Sequence, residues 1–269
     1  MSRKKTGKSG PFSAGRLPMT VYKLGGPALE DPELIAPLAA ELHDIVGNVA
    51  VVHGGGRFVE RVLSRLGVAS RFVDGRRATS PEAMQVVEMV LSGSVNKSLA
   101  ARLTAAGVPA AGLSGRDAGL LHAEPVEGLG RVGHRVRVNP EALLALWRSH
   151  LVPVVSPVAN DAAHEPLNVN ADEAALALAA ALYARRLVFF SDVDGVRLAG
   201  EAAETLSAQE AAARVEDGTI SGGMALKVRT ALEAARAGVP EVVIAGKARL
   251  TGGFGGTRIL AGDPGEAVA

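Results

Sequence analysis

Short apolar runs that break into glycine or polar loops, each followed by apolar residues at three- and four-residue spacing, recur along this chain from residue 21 to residue 260. The run 21–24 stops at Gly25-Gly26. Over 32–46, Leu34, Ile35, Leu38, Leu42 and Ile45 fall on one helical face. Residues 49–52 are uninterruptedly apolar and end in His53-Gly54-Gly55-Gly56. Such runs suit strands buried on both faces of a parallel sheet. Helical spacing returns at 57–66. Thr79-Ser80-Pro81-Glu82 predicts a helix start, with Ser80 as N-cap and Pro81 in the first turn, and a long helix to about residue 106.

The alternation continues with a strand at 108–113 closed by Ser114-Gly115-Arg116-Asp117. Residues 121–138 predict a hairpin excursion; a helix at 140–149 and a buried strand at 151–155 follow. The second half adds helices at 172–183, 208–215 and 224–237, with strands at 187–190, 241–244 and 257–260. There is no repeat and no linker. The pattern predicts an α/β fold, a three-layer αβα sandwich with a mainly parallel central sheet. Open sheets of this kind bind ligands beyond the carboxyl ends of their strands. The glycine loops at 25–26, 54–56 and 114–115 all follow strands, which locates that edge.

Composition sharpens this picture. Hydrophobic residues make up 48% but aromatics only 3%, so Ala, Val and Leu must fill the core and let elements approach closely. A formal charge of +1 gives no protein-wide field for nucleic acid or membrane. The absence of cysteine excludes disulfides and thiolate catalysis and fits a reducing cytoplasm. No apolar run reaches transmembrane length. Residues 1–18 are basic, lack acidic side chains and have no apolar signal core, so a disordered basic tail is expected over 1–19.

Several residues stand out chemically, each with a plain structural alternative. Glycine clusters after strands let backbone N–H groups approach an anion, or simply make tight turns. Neither a Walker-A loop nor a suitably placed dinucleotide fingerprint occurs. Lys23 enters a buried strand, which is costly without an anionic partner unless the side chain snorkels at the sheet rim. Lys227 lies on the helix beginning near Gly222-Gly223 and alone reads as a surface lysine. Arg77 can grip a carboxylate bidentately or face solvent beside Arg76. Asn168-Val169-Asn170-Ala171-Asp172 is either a helix cap or part of a site. Asp192 and Asp194, beside Gly195, suit a nucleotide-binding turn better than a dedicated metal pair. No zinc spacing, GxSxG elbow or general base emerges.

In order, these words resemble the amino-acid kinase family. They are Lys23-Leu24-Gly25-Gly26, Val52-His53-Gly54-Gly55-Gly56, Phe72-Val73-Asp74-Gly75-Arg76-Arg77-Ala78-Thr79 and Gly93-Ser94-Val95-Asn96-Lys97. Gly112-Leu113-Ser114-Gly115-Arg116-Asp117, the 168–172 word, Ser191-Asp192-Val193-Asp194-Gly195, Ile220-Ser221-Gly222-Gly223-Met224 with Lys227, and Gly256-Thr257-Arg258-Ile259-Leu260 complete the set. The resemblance spans about residues 20 to 261 and is closest to the branch that phosphorylates N-acetyl-L-glutamate.

The resemblance implies an ATP-dependent kinase of arginine biosynthesis, with Mg2+ carried on ATP and the side-chain carboxylate of N-acetyl-L-glutamate as acceptor. It implies that Lys23 and Lys227 bridge the transferring phosphoryl group and that Asp172 orients both. Gly55 and Gly56, Arg77 and Asn168 would hold the acyl amino acid. Gly25, Gly26, Asp192, Val193, Asp194, Gly195, Val196, Arg197, Thr219, Ile220 and Ser221 would hold ATP. Residues 20–175 would form an N-terminal lobe for substrate and dimerisation, and 176–269 a nucleotide lobe. Arginine-inhibited members carry an amphipathic N-terminal helix whose apolar period is missing here, so a homodimer without arginine feedback is expected, joined through the long helix from Pro81. Arg76 and Ala78 stand where apolar residues are expected. Two other readings stay open: a kinase of carrier-bound glutamate or aminoadipate, docked by Arg131, His134, Arg135 and Arg137, and a non-catalytic amino-acid sensor.

Overall fold

The computed structural model describes residues 18–45, 48–73, 75–190, 193–250, 252 and 255–262. Eight strands form one sheet: β1 (Met19–Leu24), β2 (Asn48–His53), β3 (Ala110–Ser114), β4 (Val152–Ser156), β5 (Arg186–Phe190), β6 (Thr205–Ser207), β7 (Glu241–Ala245) and β8 (Thr257–Leu260). Their order is β6-β8-β7-β5-β1-β2-β4-β3. All neighbours from β7 to β3 are parallel. Only the β7–β8 pairing is antiparallel, and β6 runs parallel to β8. The mainly parallel sheet is therefore as the apolar runs predict.

Strand parity sorts the core onto two faces. On one, Val21, Leu187, Phe189, Val242 and Ile244 join α5 (Ala171–Ala181) and α7 (Gly222–Arg236), through residues such as Ala174, Leu178, Val228 and Ala231. On the other, Tyr22, Leu24, Val51, Val188 and Val243 meet α1 (Ile35–Asp44), α2 (Gly56–Leu66) and α3, the long helical stretch 81–105. Lys23 shares parity with Val21, so it points to the face that α5 and α7 cover. Alanine-rich α5 lies close against that face because its buried positions are Ala174, Ala175, Leu178 and Ala179.

The long helix differs from expectation in one respect. Ser80 caps it, accepting from the Ala83 N–H. Pro81–Glu88 then passes through a π-helical segment, Met89–Val95, before α-helix resumes at Asn96–Ala105. Helices α4 (Glu141–Arg148) and α6 (Ala208–Glu216) lie where the pattern puts them. The hairpin excursion is real, Leu121–Pro125 pairing antiparallel with Val132–Val138. It is part of a closed four-stranded barrel with Val158–Asn160 and Pro166–Val169, which periodicity does not reveal. Asn168 thus sits on a strand, not in a loop. Arg71–Val73 and Arg76–Ala78 form a separate hairpin. Met19 opens β1, so the tail expected over 1–19 is too long at its inner end; residues 1–17 lie outside the described residues. The lobe division drawn at 175/176 falls inside α5.

Candidate active site

Strands β5, β1 and β2 lie side by side, so their carboxyl ends deliver three loops in a row. The chain leaves β1 for β2 on one side and leaves β5 for the far edge, at β6, on the other. This divergence makes the boundary between β5 and β1 a topological switch point, the position at which open α/β sheets bind ligands. Lys23, the penultimate residue of the middle strand, places its Nζ 2.8 Å from Oδ1 of Asp172. Asp172 is presented by the start of α5, where Asn170 caps the helix by accepting from the Asp172 N–H at 2.8 Å. The cap reading and the site reading of 168–172 are therefore compatible. This ion pair ties the end of β1 to the start of α5. Lys227 stands on α7, over the same face of the sheet.

Beside β2, a cavity of about 160 Å³ is lined by Gly54, Gly55, Gly56, Arg77, Asn168 and Asn170, with Val87, Leu91 and Val132 as apolar wall. Gly55 has φ 145°, and a Cβ there would stand 2.7 Å from Leu91 Cδ2, so both backbone and space demand glycine. Arg77 is almost fully buried. Its Nη1 donates to Glu60 and Ser70, its Nη2 donates to the Gly56 carbonyl at 3.0 Å, and its guanidinium covers the Phe72 ring at 4.6 Å. The Arg77 guanidinium and the Ser70 hydroxyl hold the Glu60 carboxyl below its usual range. Thr79 donates to the Arg77 carbonyl at 2.6 Å and accepts from Asn168 Nδ2 at 3.1 Å, so one buried hydroxyl positions both residues. Arg76 pairs with Glu173 across the entrance to α5.

On the other side of β1, a cavity of about 500 Å³ is lined by Val193, Asp194, Gly195, Val196, Arg197, Thr219, Ile220, Ser221 and Met224. Every described residue of the two sequence stretches expected at a nucleotide lies in this wall. Val196 and Ile220 are buried, and the Val196 N–H donates to Thr257 Oγ1 at 2.7 Å, so their side chains belong to the core. Asp194 accepts from the Ala248 N–H at 3.0 Å, capping the turn Lys247–Leu250. The Gly25 N–H donates to the Phe190 carbonyl at 3.0 Å, which removes it as a donor to phosphate. Asp74, Ser191 and Asp192 lie outside the described residues.

Sequence reading missed Glu60, Ser70 and Thr79 as partners of the site. Polar side chains on an α-helix, a loop and a strand end carry no periodic signal of a shared target.

The chain belongs to the amino acid kinase family, whose profile matches residues 18–246. It is 46% identical over 244 residues to the acetylglutamate kinase of Rubrobacter xylanophilus, covering 89% of this chain and 94% of that one. With the acetylglutamate kinase of Bacillus velezensis it shares 40% over 229 residues, 83% and 88% of the two chains. Among solved structures, the N-acetylglutamate synthase of Neisseria gonorrhoeae, complexed with coenzyme A and N-acetyl-glutamate, aligns with a TM-score of 0.75 at 24% identity. That match covers 90% of this chain and 59% of the other. Carbamate kinase from Giardia lamblia bound to AMP-PNP aligns with a TM-score of 0.63 at 16% identity, over 90% and 98% of the chains. At those identities the structures show a shared fold.

Proposed function

We propose that the protein transfers the γ-phosphoryl group of ATP to the side-chain carboxylate of N-acetyl-L-glutamate, forming an acyl phosphate for arginine biosynthesis. One observation carries this reading: the Lys23–Asp172 pair, 2.8 Å apart, ends the strand that separates the Arg77–Asn168 cavity from the 193–224 cavity. The acceptor goes to one side, the nucleotide to the other, and the migrating group to the lysine between them.

A side-chain carboxylate with a reference pKa of about 4.3 is ionised at neutral pH and needs no base to attack. The obstacle is repulsion between two anions, so catalysis rests on positioning and electrostatics. Arg77 grips the α-carboxylate while Asn168 meets the acetamido group, and Val87, Leu91 and Val132 exclude water around them. Lys23 and Lys227 balance charge on the transferring PO3 unit, with Asp172 holding their ammonium groups in register. Mg2+ arriving on the phosphates of ATP would partly neutralise them. Residues 20–175 serve the acyl amino acid and 176–269 the nucleotide, joined through β1, β5 and α5.

Two of the four residues named for the carrier-bound alternative are paired with acidic side chains, which counts against it. Arg131 lies 3.5 Å from Asp161 and 3.9 Å from Glu165, and Arg135 lies 3.1 Å from Glu124, so the strip is locally neutralised. Retention of both lysines speaks against a sensor. Hydroxylamine trapping of the acyl phosphate across N-acetylglutamate, N-acetylaspartate and aminoadipate derivatives tests the proposal, with N-acetylglutamate expected to dominate. No hydroxamate from it would overturn the assignment. The reading includes a cytoplasmic homodimer formed through α3, for which light scattering should give twice the chain mass; a hexamer would refute it.

A further inference from the structure

Among the family words, Gly93-Ser94-Val95-Asn96-Lys97 has no place in the mechanism so far. Asn96 is nevertheless wholly buried, at the point where the π segment of α3 returns to α-helix, above the ends of β2, β3 and β4. Its Nδ2 lies 2.9 Å from the Val154 carbonyl, 3.2 Å from the Leu113 carbonyl and 3.1 Å from His53 Nε2. Two carbonyls can only accept, so the amide nitrogen must occupy this position. His53, also wholly buried, has its Nδ1 2.7 Å from the carbonyl of Gly54. That oxygen likewise accepts only, so Nδ1 carries the proton and Nε2 offers its lone pair to Asn96. A proton on both nitrogens would set Nε2–H against the Asn96 amide hydrogens. The ring is fixed as the neutral Nδ1–H tautomer by its neighbours alone.

The Gly54 carbonyl belongs to the peptide that joins Gly54 to Gly55. That peptide is planar and trans, so its N–H points opposite to its C=O. With the carbonyl held against the buried ring, the Gly55 N–H is turned away from the core, toward the cavity that Gly54, Gly55 and Gly56 line. Gly55, with φ 145°, has the rotational freedom to adopt other orientations, and nothing in its own side chain prevents them.

Building on the acyl-phosphate reading of this cavity, we propose that His53 is a positioning residue: held in one tautomer by Asn96, it clamps the Gly54–Gly55 peptide so that the Gly55 N–H donates to an anionic oxygen of the acyl substrate. Three acceptors surround two Asn96 amide hydrogens, so removing the imidazole leaves both hydrogens satisfied by Val154 and Leu113. His53→Leu should therefore fold, and His53→Asn should restore a donor at the Nδ1 position.

The test compares both variants with the wild type. His53→Leu should lower kcat at least about tenfold, with little change in the KM for ATP, as for loss of a preorganised donor; His53→Asn should recover it to within about threefold. A His53→Leu enzyme within twofold of wild type, or equal losses in both variants, overturns the proposal. Two NMR measurements need no turnover and so separate this inference from the kinase assignment. The imidazole 15N shifts should report a neutral ring protonated at Nδ1, and the residual dipolar coupling of the Gly55 N–H should change in His53→Leu. A proton on Nε2, or an unchanged Gly55 coupling, overturns the clamp even if the protein phosphorylates N-acetylglutamate as proposed.

Discussion

Lys23 was legible because burial makes a lysine expensive. A strand run of Val-Tyr-Lys-Leu cannot carry an ammonium into the sheet without a carboxylate nearby, and Asp172 lies 2.8 Å away. Which of the 28 acidic residues that partner would be is a tertiary fact, beyond the reach of local pattern. Arg77 shows the same limit: the loop reading left it facing solvent or substrate, whereas Glu60, Ser70, Gly56 and Phe72 surround it. We expect Lys23→Ala and Lys227→Ala each to lower kcat about a hundredfold or more, the cost of a lost transition-state charge contact. Steady-state kinetics at saturating substrates checks this, and a near-normal kcat in either variant removes that lysine from the mechanism. Arg77→Ala should instead raise the KM for the acyl amino acid, with a smaller change for ATP; an effect confined to the ATP KM would misplace it.

At the scale of elements, the glycines separate into two kinds. Gly55 requires glycine by its φ and by Leu91. Gly112, in the middle of β3, requires it because a Cβ would overlap Asn96 Oδ1. Gly112→Ala must push the Asn96 amide off the strand ends, and overpacking of this kind costs about 1–3 kcal/mol. Its thermal unfolding midpoint should fall by several degrees, and an unchanged midpoint would show that α3 yields freely there. The Gly112-to-Asp117 word carries family resemblance for a structural reason. Asp117 accepts from the Ser114 N–H at 2.8 Å, while Arg116 joins Glu88 of α3 to Asn160 and the His164 carbonyl at the barrel. Helices α1 to α7 and seven of the eight sheet strands were readable from periodicity because each has one or two buried faces; β6, only three residues long, was not. Two barrel strands were read as a hairpin, but Val158–Asn160 and Pro166–Val169 were not, since three or four residues leave too few positions for alternation.

For the molecule as a whole, acid should act in two stages. Burial pushes the His53 imidazole down to about 4, against the Gly54 carbonyl bond that favours its protonation. A group depressed on folding binds more protons when unfolded, so stability falls as pH drops from about 6.5 toward 4. Carboxylates follow below that. At the edge opposite the site, burial raises the Glu241 pKa, but hydrogen bonds from Arg186 and Arg258 outweigh it and hold the group below the usual glutamate value of 4.5. Its stabilisation is present above that value and is lost as pH falls further. Denaturant midpoints from pH 8 to 3 should show both declines, and His53→Asn should flatten only the first. A first stage that persists in that variant would assign it to another group.

Sequence alone determined the alternation of strand and helix, the ligand edge and the residue types gathered there. Apolar spacing, glycine and caps act over a few neighbours and therefore leave a local record. Only the tertiary structure decided that β5, β1 and β2 are adjacent, and that Glu60 bonds to Arg77, Thr79 to Asn168 and Asn96 to His53. Those pairings join residues from 17 positions apart to well over a hundred, and their free energy exists only once the fold has closed that distance.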